Sequence, residues 1–163
     1  MDNFNFIASV VTILSAIFTF YNAWAVKRDL TIITKIKSEI IEKRNFKELT
    51  ELFHLTKKIQ NLFNKYGFAV SENSLKGVNL QSESLEMQNY LNKLIESIHF
   101  FDETKQNTIS EIHKEIGINT TKLVGSTQSN IVMRNGTKII DNLSQISTII
   151  NKMIYKLEYK TNE

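Results

Sequence analysis

The chain has 163 residues and a formal net charge of +3, with five glycines and neither cysteine nor proline. Without cysteine it can form no disulfide, no thiolate metal site and no cysteine nucleophile. The lack of proline and the scarcity of glycine disfavour a turn-rich β-sandwich or barrel, so the composition predicts an all-α protein with at most one compact domain and an appendage.

The N-terminal segment is uncharged and mostly apolar. Residues 4–26, FNFIASVVTILSAIFTFYNAWAV, would extend roughly 30 Å as a helix, which is the thickness of the hydrocarbon core of a bilayer. Ala23-Trp24-Ala25 has the form of a signal-peptidase site, but no basic residue precedes the apolar run and two follow it at once. We therefore predict an uncleaved transmembrane anchor over residues 1–26; a cleaved signal peptide and a buried core helix are the alternatives.

Basic residues flank this segment on one side only. Four of them lie between positions 27 and 37, and none precedes the segment. The positive-inside rule then places the N-terminus outside and residues 27–163 in the cytoplasm as a helical domain, which makes the chain a single-pass membrane protein. The residues expected at the membrane interface are Tyr21, Trp24, Lys27 and Arg28.

Small and polar side chains recur along one face of the segment, at spacings of three and four residues. They are Ser9, Thr12, Ala16, Thr19 and Ala23, and Ser15 and Asn22 lie beside them. Helices in lipid associate through such faces, so the pattern predicts a self-association seam in a homo-oligomer. In a ring of several copies the same face would line a narrow pore, because polar residues within a span turn inward or toward water.

After the anchor, apolar residues at helical spacing predict a series of helices. The first helix continues through Lys43, and Asn45 with Glu48 predicts the capping box of a second helix. Gly67 is expected to end that helix in the left-handed conformation. A polar connection over residues 67–82 follows, in which two weak strands are an alternative.

The C-terminal half is predicted to contain three segments. A third helix runs from about Glu83 to Phe101, and a fourth runs from Asp102, its N-cap, to Gly117. Residues 117–137 are either a loop or a weak helix. The last segment is a coiled-coil or bundle helix, because its apolar residues alternate at four and three positions. These are Ile139, Leu143, Ile146, Ile150, Met153 and Leu157.

Positive charge is concentrated in residues 27–66, which hold ten basic and five acidic side chains. Membrane topology and attraction to anionic lipid account for Lys27 and Arg28. Five cations further along the chain have two interpretations. They either follow from the same topology and attraction to anionic lipid, or they bind a nucleotide or oligonucleotide, in which case an oligomer would multiply them around its axis. These five are Lys43, Arg44, Lys47, Lys57 and Lys58.

No motif indicates catalysis. The chain has no glycine-rich phosphate loop, no dinucleotide fingerprint, no zinc-protease motif and no nucleophile elbow. Glu111 and Glu115 share a helical face from which His113 points away, and His54 and His99 lie beside apolar residues, as packing histidines do. We expect no enzymatic activity, no cofactor and no metal.

The arrangement as a whole resembles the small single-pass membrane effectors of bacterial antiphage defence, and among them the membrane effector of the Hailong system. The resemblance is carried by the span FIASVVTILSAIFTFYNAWAV, the basic exit KRDL and the helical remainder. It implies a homo-oligomeric, ion-conducting pore of the bacterial inner membrane that is gated by a nucleotide or oligonucleotide signal read by the soluble domain.

Two functions of different classes are therefore expected. The first is a pore-forming ion-channel effector, in which the small-residue face lines or closes the pore and the helical bundle assembles and gates it. The second is a membrane-tethered adaptor, in which the anchor only localises the bundle and the terminal heptads dock a regulatory protein partner.

Overall fold

The computed structural model describes the backbone of residues 2–67 and 79–161, and the side chains of residues 12–67 and 79–159. It contains four α-helices: α1 (Asp2–Phe63), α2 (Leu80–Glu96), α3 (Glu103–Val124) and α4 (Ser129–Thr161). Short 3-10 helices follow α1 at Asn64–Tyr66 and α2 at Ile98–Phe100. These described residues include no strand, so the all-α prediction is confirmed.

The chain divides into two units, residues 1–43 and residues 44–163. The first unit is helical throughout its described part. The second unit is a helical bundle built from the last part of α1 together with α2, α3 and α4. The predicted division into residues 1–26 and 27–163 followed hydropathy and charge, whereas this division follows packing.

No helix in the described part of the chain is long and apolar enough to cross a membrane. The anchor predicted over residues 1–26 lies partly outside that part, because the described side chains begin at Thr12.

Helix α1 continues through the point where a second helix was expected to begin. Asn45 lies inside α1 and caps nothing, so that prediction was wrong. The physical reason is that residues 2–63 contain neither glycine nor proline, and a capping residue does not by itself end a helix. The Arg44 Nε atom lies 2.8 Å from Glu48 Oε1 across one turn, which supports the helix at this point.

The ends of the next two helices follow local capping chemistry. Asn79 Oδ1 accepts a hydrogen bond from the Ser82 backbone N–H at 3.1 Å and starts α2 before the expected position. Asp102 Oδ1 accepts from the Lys105 backbone N–H at 3.1 Å, so the predicted cap of α3 is confirmed. Each helix therefore starts where a side chain satisfies a free N–H group of its first turn.

Two glycines do not act as predicted. Gly67 has φ −80° and ψ 159°, which is extended and not left-handed. Gly117 lies inside α3, which continues to Val124 because its next turns bury Asn119, Thr120 and Leu123. The undecided residues 117–137 are therefore helical on both sides of a short connection at residues 125–128. The alternative of two strands falls mainly on residues 68–78, which lie outside the described residues.

The core of the bundle takes apolar side chains from all four helices. From α4 it receives Ile139, Leu143, Ile146 and Ile150, which are completely buried, while Met153 and Leu157 are partly buried against it. The largest buried side chains on α1 and α2 are Phe63, Leu49, Leu52, Met87, Tyr90 and Leu94. Because these residues recur at helical spacing, each helix turns one apolar face inward and the four faces form one apolar core. Burial of this core is the main contribution to the stability of the bundle.

Helix α4 approaches the 3-10 helix after α1 most closely at Gly136. A Cβ atom at this position would lie 2.3 Å from the Tyr66 carbonyl oxygen and 2.4 Å from the Tyr66 Cβ. Both distances are well below van der Waals contact, so only glycine permits this approach.

We expect Gly136→Ala to lower the free energy of unfolding by about 1–3 kcal/mol, because the added methyl group displaces the backbone of Tyr66. Gly117→Ala is the matched control, since no atom lies within 4 Å of the added Cβ in α3. The control should gain up to about 1 kcal/mol from helix propensity. Urea denaturation of the full-length chain measures both, and equal stability of the two variants would contradict the close approach.

Candidate functional site

The described part of the first unit exposes an apolar surface on its helix. In residues 12–41 all side chains except Ala25 are exposed. The exposed fractions are 66% for Phe18, 81% for Phe20 and 60% for Trp24. The other large apolar residues exposed here are Ile13, Leu14, Ile17, Tyr21, Val26, Leu30, Ile32, Ile33, Ile36, Ile40 and Ile41. Apolar surface on this scale marks a region that lipid or protein covers.

The small-residue face falls within this surface. Thr12, Ser15, Ala16, Thr19, Asn22 and Ala23 are all exposed, and the side chain of Ser9 lies outside the described residues. The Thr19 hydroxyl donates a hydrogen bond to the Ser15 carbonyl oxygen at 2.8 Å. This bond satisfies the hydroxyl proton within the helix, which allows threonine to lie in apolar surroundings and still accept a hydrogen bond.

Charge begins directly after the apolar stretch. The guanidinium carbon of Arg28 lies 5.5 Å from the centre of the Trp24 ring, in the range of a cation–π contact. The Arg28 Nε atom lies 3.7 Å from Asp29 Oδ1, and both side chains are exposed. Tyr21 and Lys27 are exposed as well. An aromatic ring and a cation thus meet where the uncharged residues end.

The candidate anion-binding cations are divided between the two units. Lys43 is exposed and belongs to the first unit, whereas the other four belong to the bundle. Arg44 Nε is 2.8 Å from Glu48 Oε1, and Lys47 Nζ is 3.9 Å from Glu51 Oε1. The hydrogen bond from Arg44 lowers the pKa of Glu48. Both cations therefore face a carboxylate one turn further along α1.

The remaining two cations also have neighbours. Lys58 Nζ lies 3.4 Å from Glu86 Oε2, which joins α1 to α2. Lys57 Nζ donates to Gln60 Oε1 at 3.2 Å and lies 5.7 Å from the centre of the Phe53 ring. An anionic ligand at these lysines would have to compete with groups that already contact them.

A polar cluster that the sequence did not reveal joins the end of α1 to the start of α2. The Tyr66 hydroxyl donates to Glu83 Oε2 at 2.6 Å, and Lys65 Nζ donates to Glu83 Oε1 at 2.5 Å. The Glu83 side chain is only 13% exposed. Burial, followed by the hydrogen bond to Glu83, raises the pKa of Tyr66. Both carboxylate oxygens are occupied, so the cluster connects two helices and offers no free base.

A second tyrosine hydroxyl lies in the core. Tyr90 Oη lies 3.1 Å from Thr56 Oγ1, and the Thr56 hydroxyl donates to the Leu52 carbonyl oxygen at 2.8 Å. Tyr90 is therefore the donor in the first of these bonds. Burial raises the pKa of Tyr90, which keeps its hydroxyl protonated in the folded bundle.

The histidines lie in unrelated surroundings. His54 packs its ring against Phe53 with 6.0 Å between the ring centres, and His99 Nδ1 lies 2.8 Å from the Glu96 carbonyl oxygen. Burial, with a smaller effect from the neighbouring Lys114, lowers the pKa of His113. Across residues 12–67 and 79–159, no three histidine or carboxylate side chains form a group that could hold a metal ion.

No known protein family, curated protein or solved structure matches this chain. What the protein does must therefore follow from its own residues. Among the described residues, the most unusual feature is the exposed apolar helix of residues 12–41.

Tyr66→Phe is expected to lower the free energy of unfolding by about 1.5–3 kcal/mol at neutral pH, because it removes a hydrogen bond to a nearly buried carboxylate. Tyr155→Phe, which changes an exposed hydroxyl on α4, is the matched control and should leave stability unchanged. Chemical denaturation of the full-length protein measures the difference. Equal stability of both variants would contradict the role of the Tyr66–Glu83 bond.

The wild-type bundle should lose stability as the pH rises above about 10, the ordinary pKa of tyrosine. Above this pH an unfolded chain releases the protons of Tyr66 and Tyr90, whereas the raised pKa values in the folded bundle retain them. Below this pH both states hold the protons, so the contribution of these two tyrosines to stability is constant. Denaturation from about pH 8 to about pH 11 should show a smaller loss for Tyr66→Phe; an identical loss would refute the raised pKa.

Proposed function

We propose that this protein is a membrane-anchored helical homo-oligomer that acts as a pore-forming effector, with its helical bundle as the regulatory part. The observation that carries the proposal is the exposed apolar surface of residues 12–41. The first part of this surface, residues 12–26, contains no charged residue and is directly followed by charge. The proposal places it in the inner membrane with the N-terminus outside and the bundle in the cytoplasm.

Lipid is the proposed cover for the first part of this surface. Between Thr12 and Val26 there is no charged residue, whereas Lys27, Arg28 and Asp29 follow in succession. Large apolar side chains cover this helix outside the small-residue face, and so wide an apolar surface requires apolar surroundings on most sides. The Trp24–Arg28 contact suits the headgroup region, where a ring and a cation are both well solvated.

Self-association is the proposed role of the small-residue face. An exposed asparagine such as Asn22 is unfavourable in hydrocarbon, and an amide in a span usually faces another helix or water. Thr19 retains acceptor capacity after donating to Ser15. A ring of copies that turns this face inward would satisfy both side chains and line a narrow aqueous path.

The bundle is the proposed site of regulation. A nucleotide or oligonucleotide signal, as the resemblance to antiphage effectors implies, would have to displace Glu48, Glu51 or Glu86 from the cations of α1. Release of Lys58 from Glu86 would loosen a contact between α1 and α2, which offers a route from ligand binding to the anchor. The alternative adaptor function needs no such route, because its anchor only localises the bundle.

Ile17→Lys should reduce membrane insertion, because a lysine near the middle of a span disfavours insertion by about 3 kcal/mol. Ile32→Lys is the matched control: the same exchange at an exposed isoleucine after the basic exit. The measurement is the fraction of full-length protein that stays in bacterial membranes after alkaline carbonate extraction. Equal extraction of the two variants would contradict the anchor.

The pore is tested with the double variant Thr12→Leu, Thr19→Leu. Wild-type protein expressed in bacteria should depolarise the inner membrane, as followed with a voltage-sensitive dye, and the double variant should lose this activity while it still inserts. Thr31→Leu with Thr34→Leu is the control, since these hydroxyls bond to Lys27 and Leu30 carbonyl oxygens beyond the span. Undiminished depolarisation by the Thr12→Leu, Thr19→Leu variant would argue against the pore. If the whole span can be replaced by an unrelated span without loss of the protein's function, that result would favour the adaptor.

A further inference from the structure

Helices α3 and α4 form an antiparallel hairpin, and a groove of about 450 Å³ runs along one side of it. Each helix lines the groove with residues at the same spacing of three, four and seven positions. These positions are 115, 118, 119 and 122 on α3 and 138, 141, 142 and 145 on α4. The volume suits a small ligand, since small-molecule sites commonly measure about 300–1,000 Å³.

Two buried side-chain amides lie in this groove. Asn119 is 7% exposed and Asn142 is 6% exposed. The Asn119 Nδ2 atom donates to the Glu115 carbonyl oxygen at 2.8 Å, and the Asn142 Nδ2 atom donates to Glu115 Oε2 at 3.1 Å. From the described residues neither amide oxygen receives a hydrogen bond. A side-chain amide oxygen can accept up to two hydrogen bonds, so a donor in the groove can bond to each of them.

The charges of the groove are separated along its length. The contact between Glu115 and Asn142 sets the register of the hairpin, so Lys122 and Lys138 lie toward the connecting turn and Glu115 lies away from it. Asp141 follows Lys138 by one turn of α4 and precedes Asn142 directly in the sequence. It therefore lies further from the connecting turn than Lys138 does. Glu115 and Lys122 are separated by about 10 Å along the helix axis.

Among the described side chains, Lys122, Lys138 and Asp141 form no salt bridge. The groove therefore has the carboxylates of Glu115 and Asp141 at one end and Lys122 at the other, and Lys138 lies between them, one turn from Asp141.

We propose that this groove binds a short peptide with free termini, two or three residues long. Its carboxylate would lie at Lys122 and Lys138, and its ammonium group would lie at Glu115 and Asp141. The amide oxygens of Asn119 and Asn142 would accept hydrogen bonds from its backbone N–H groups. An extended chain advances about 3.3–3.6 Å per residue, so three residues cover about 10 Å, the separation of the two ends.

The mixed charge selects a zwitterion over other small ligands. A ligand with several negative charges would meet Glu115 and Asp141, which would repel it, and a purely cationic ligand would meet the two lysines. A short peptide also supplies the N–H donors that two acceptor oxygens require. The binding site does not depend on the proposed pore, because the groove lies entirely within α3 and α4.

The first experiment is calorimetric titration of the purified full-length protein with trialanine and with N-acetyl-trialanine amide. Trialanine should bind with one molecule per chain. The capped peptide has the same backbone but no terminal charge, and it should bind at least about tenfold more weakly. The absence of measurable trialanine binding, or equal binding of both peptides, would overturn the proposal, and so would preferential binding of a nucleoside monophosphate.

Variants locate the site. Lys122→Ala and Asp141→Asn should each weaken trialanine binding about tenfold, since each removes one charge that meets a terminus of the peptide. Lys114→Ala, an exposed lysine of α3 outside the groove, is the matched control and should bind as the wild type does. The substituted side chains are all exposed, and circular dichroism verifies the fold. Unchanged affinity in both groove variants would place the peptide elsewhere and refute this site.

Discussion

Three helices of the bundle meet at Tyr66, and the packing of this one residue is the constraint on which the second unit depends. Its backbone lies against Gly136 of α4, its hydroxyl donates to Glu83 at the start of α2, and its ring lies 5.4 Å from that of Phe63 on α1. Tyr66 is completely buried. A larger residue at position 136 or a missing acceptor at position 83 would each separate helices whose apolar faces depend on this contact.

The two parts of α1 have opposite surroundings because their side-chain patterns differ. In residues 49–63 the apolar side chains recur at helical spacing on one face of α1, and polar side chains occupy the other face. This part of α1 can therefore bury one face in the bundle, and the buried residues on it include Leu49, Leu52, Ile59 and Phe63. Residues 12–26 carry no charge, and their large apolar side chains cover most of the helix outside the small-residue face. A bundle can cover only one face of a helix, whereas lipid covers every face, and this difference underlies the proposed anchor.

Most helices could be predicted from apolar spacing, but several of their ends could not. Asn45, Asn79 and Asp102 are equally good capping residues in the sequence, yet only the last two start a helix. Asn79 itself is not helical and Phe101, before Asp102, is extended, whereas nothing before Asn45 interrupts α1. Gly117 likewise remains helical because the next turns of α3 find a buried place against the bundle, and tertiary packing outweighs a weak local preference.

The sequence by itself determined the all-helical fold, the uncharged stretch that ends at Val26, the small-residue spacing and the heptad face of α4. These features are set by residues within a few turns of one another. Only the tertiary structure decided which polar groups pair: Tyr66 with Glu83, Asn142 with Glu115, and Gln60 with Ser144, which are 17, 27 and 84 positions apart. Such pairs depend on which helix faces which and in what register. Core packing sets both, and no local pattern encodes either one.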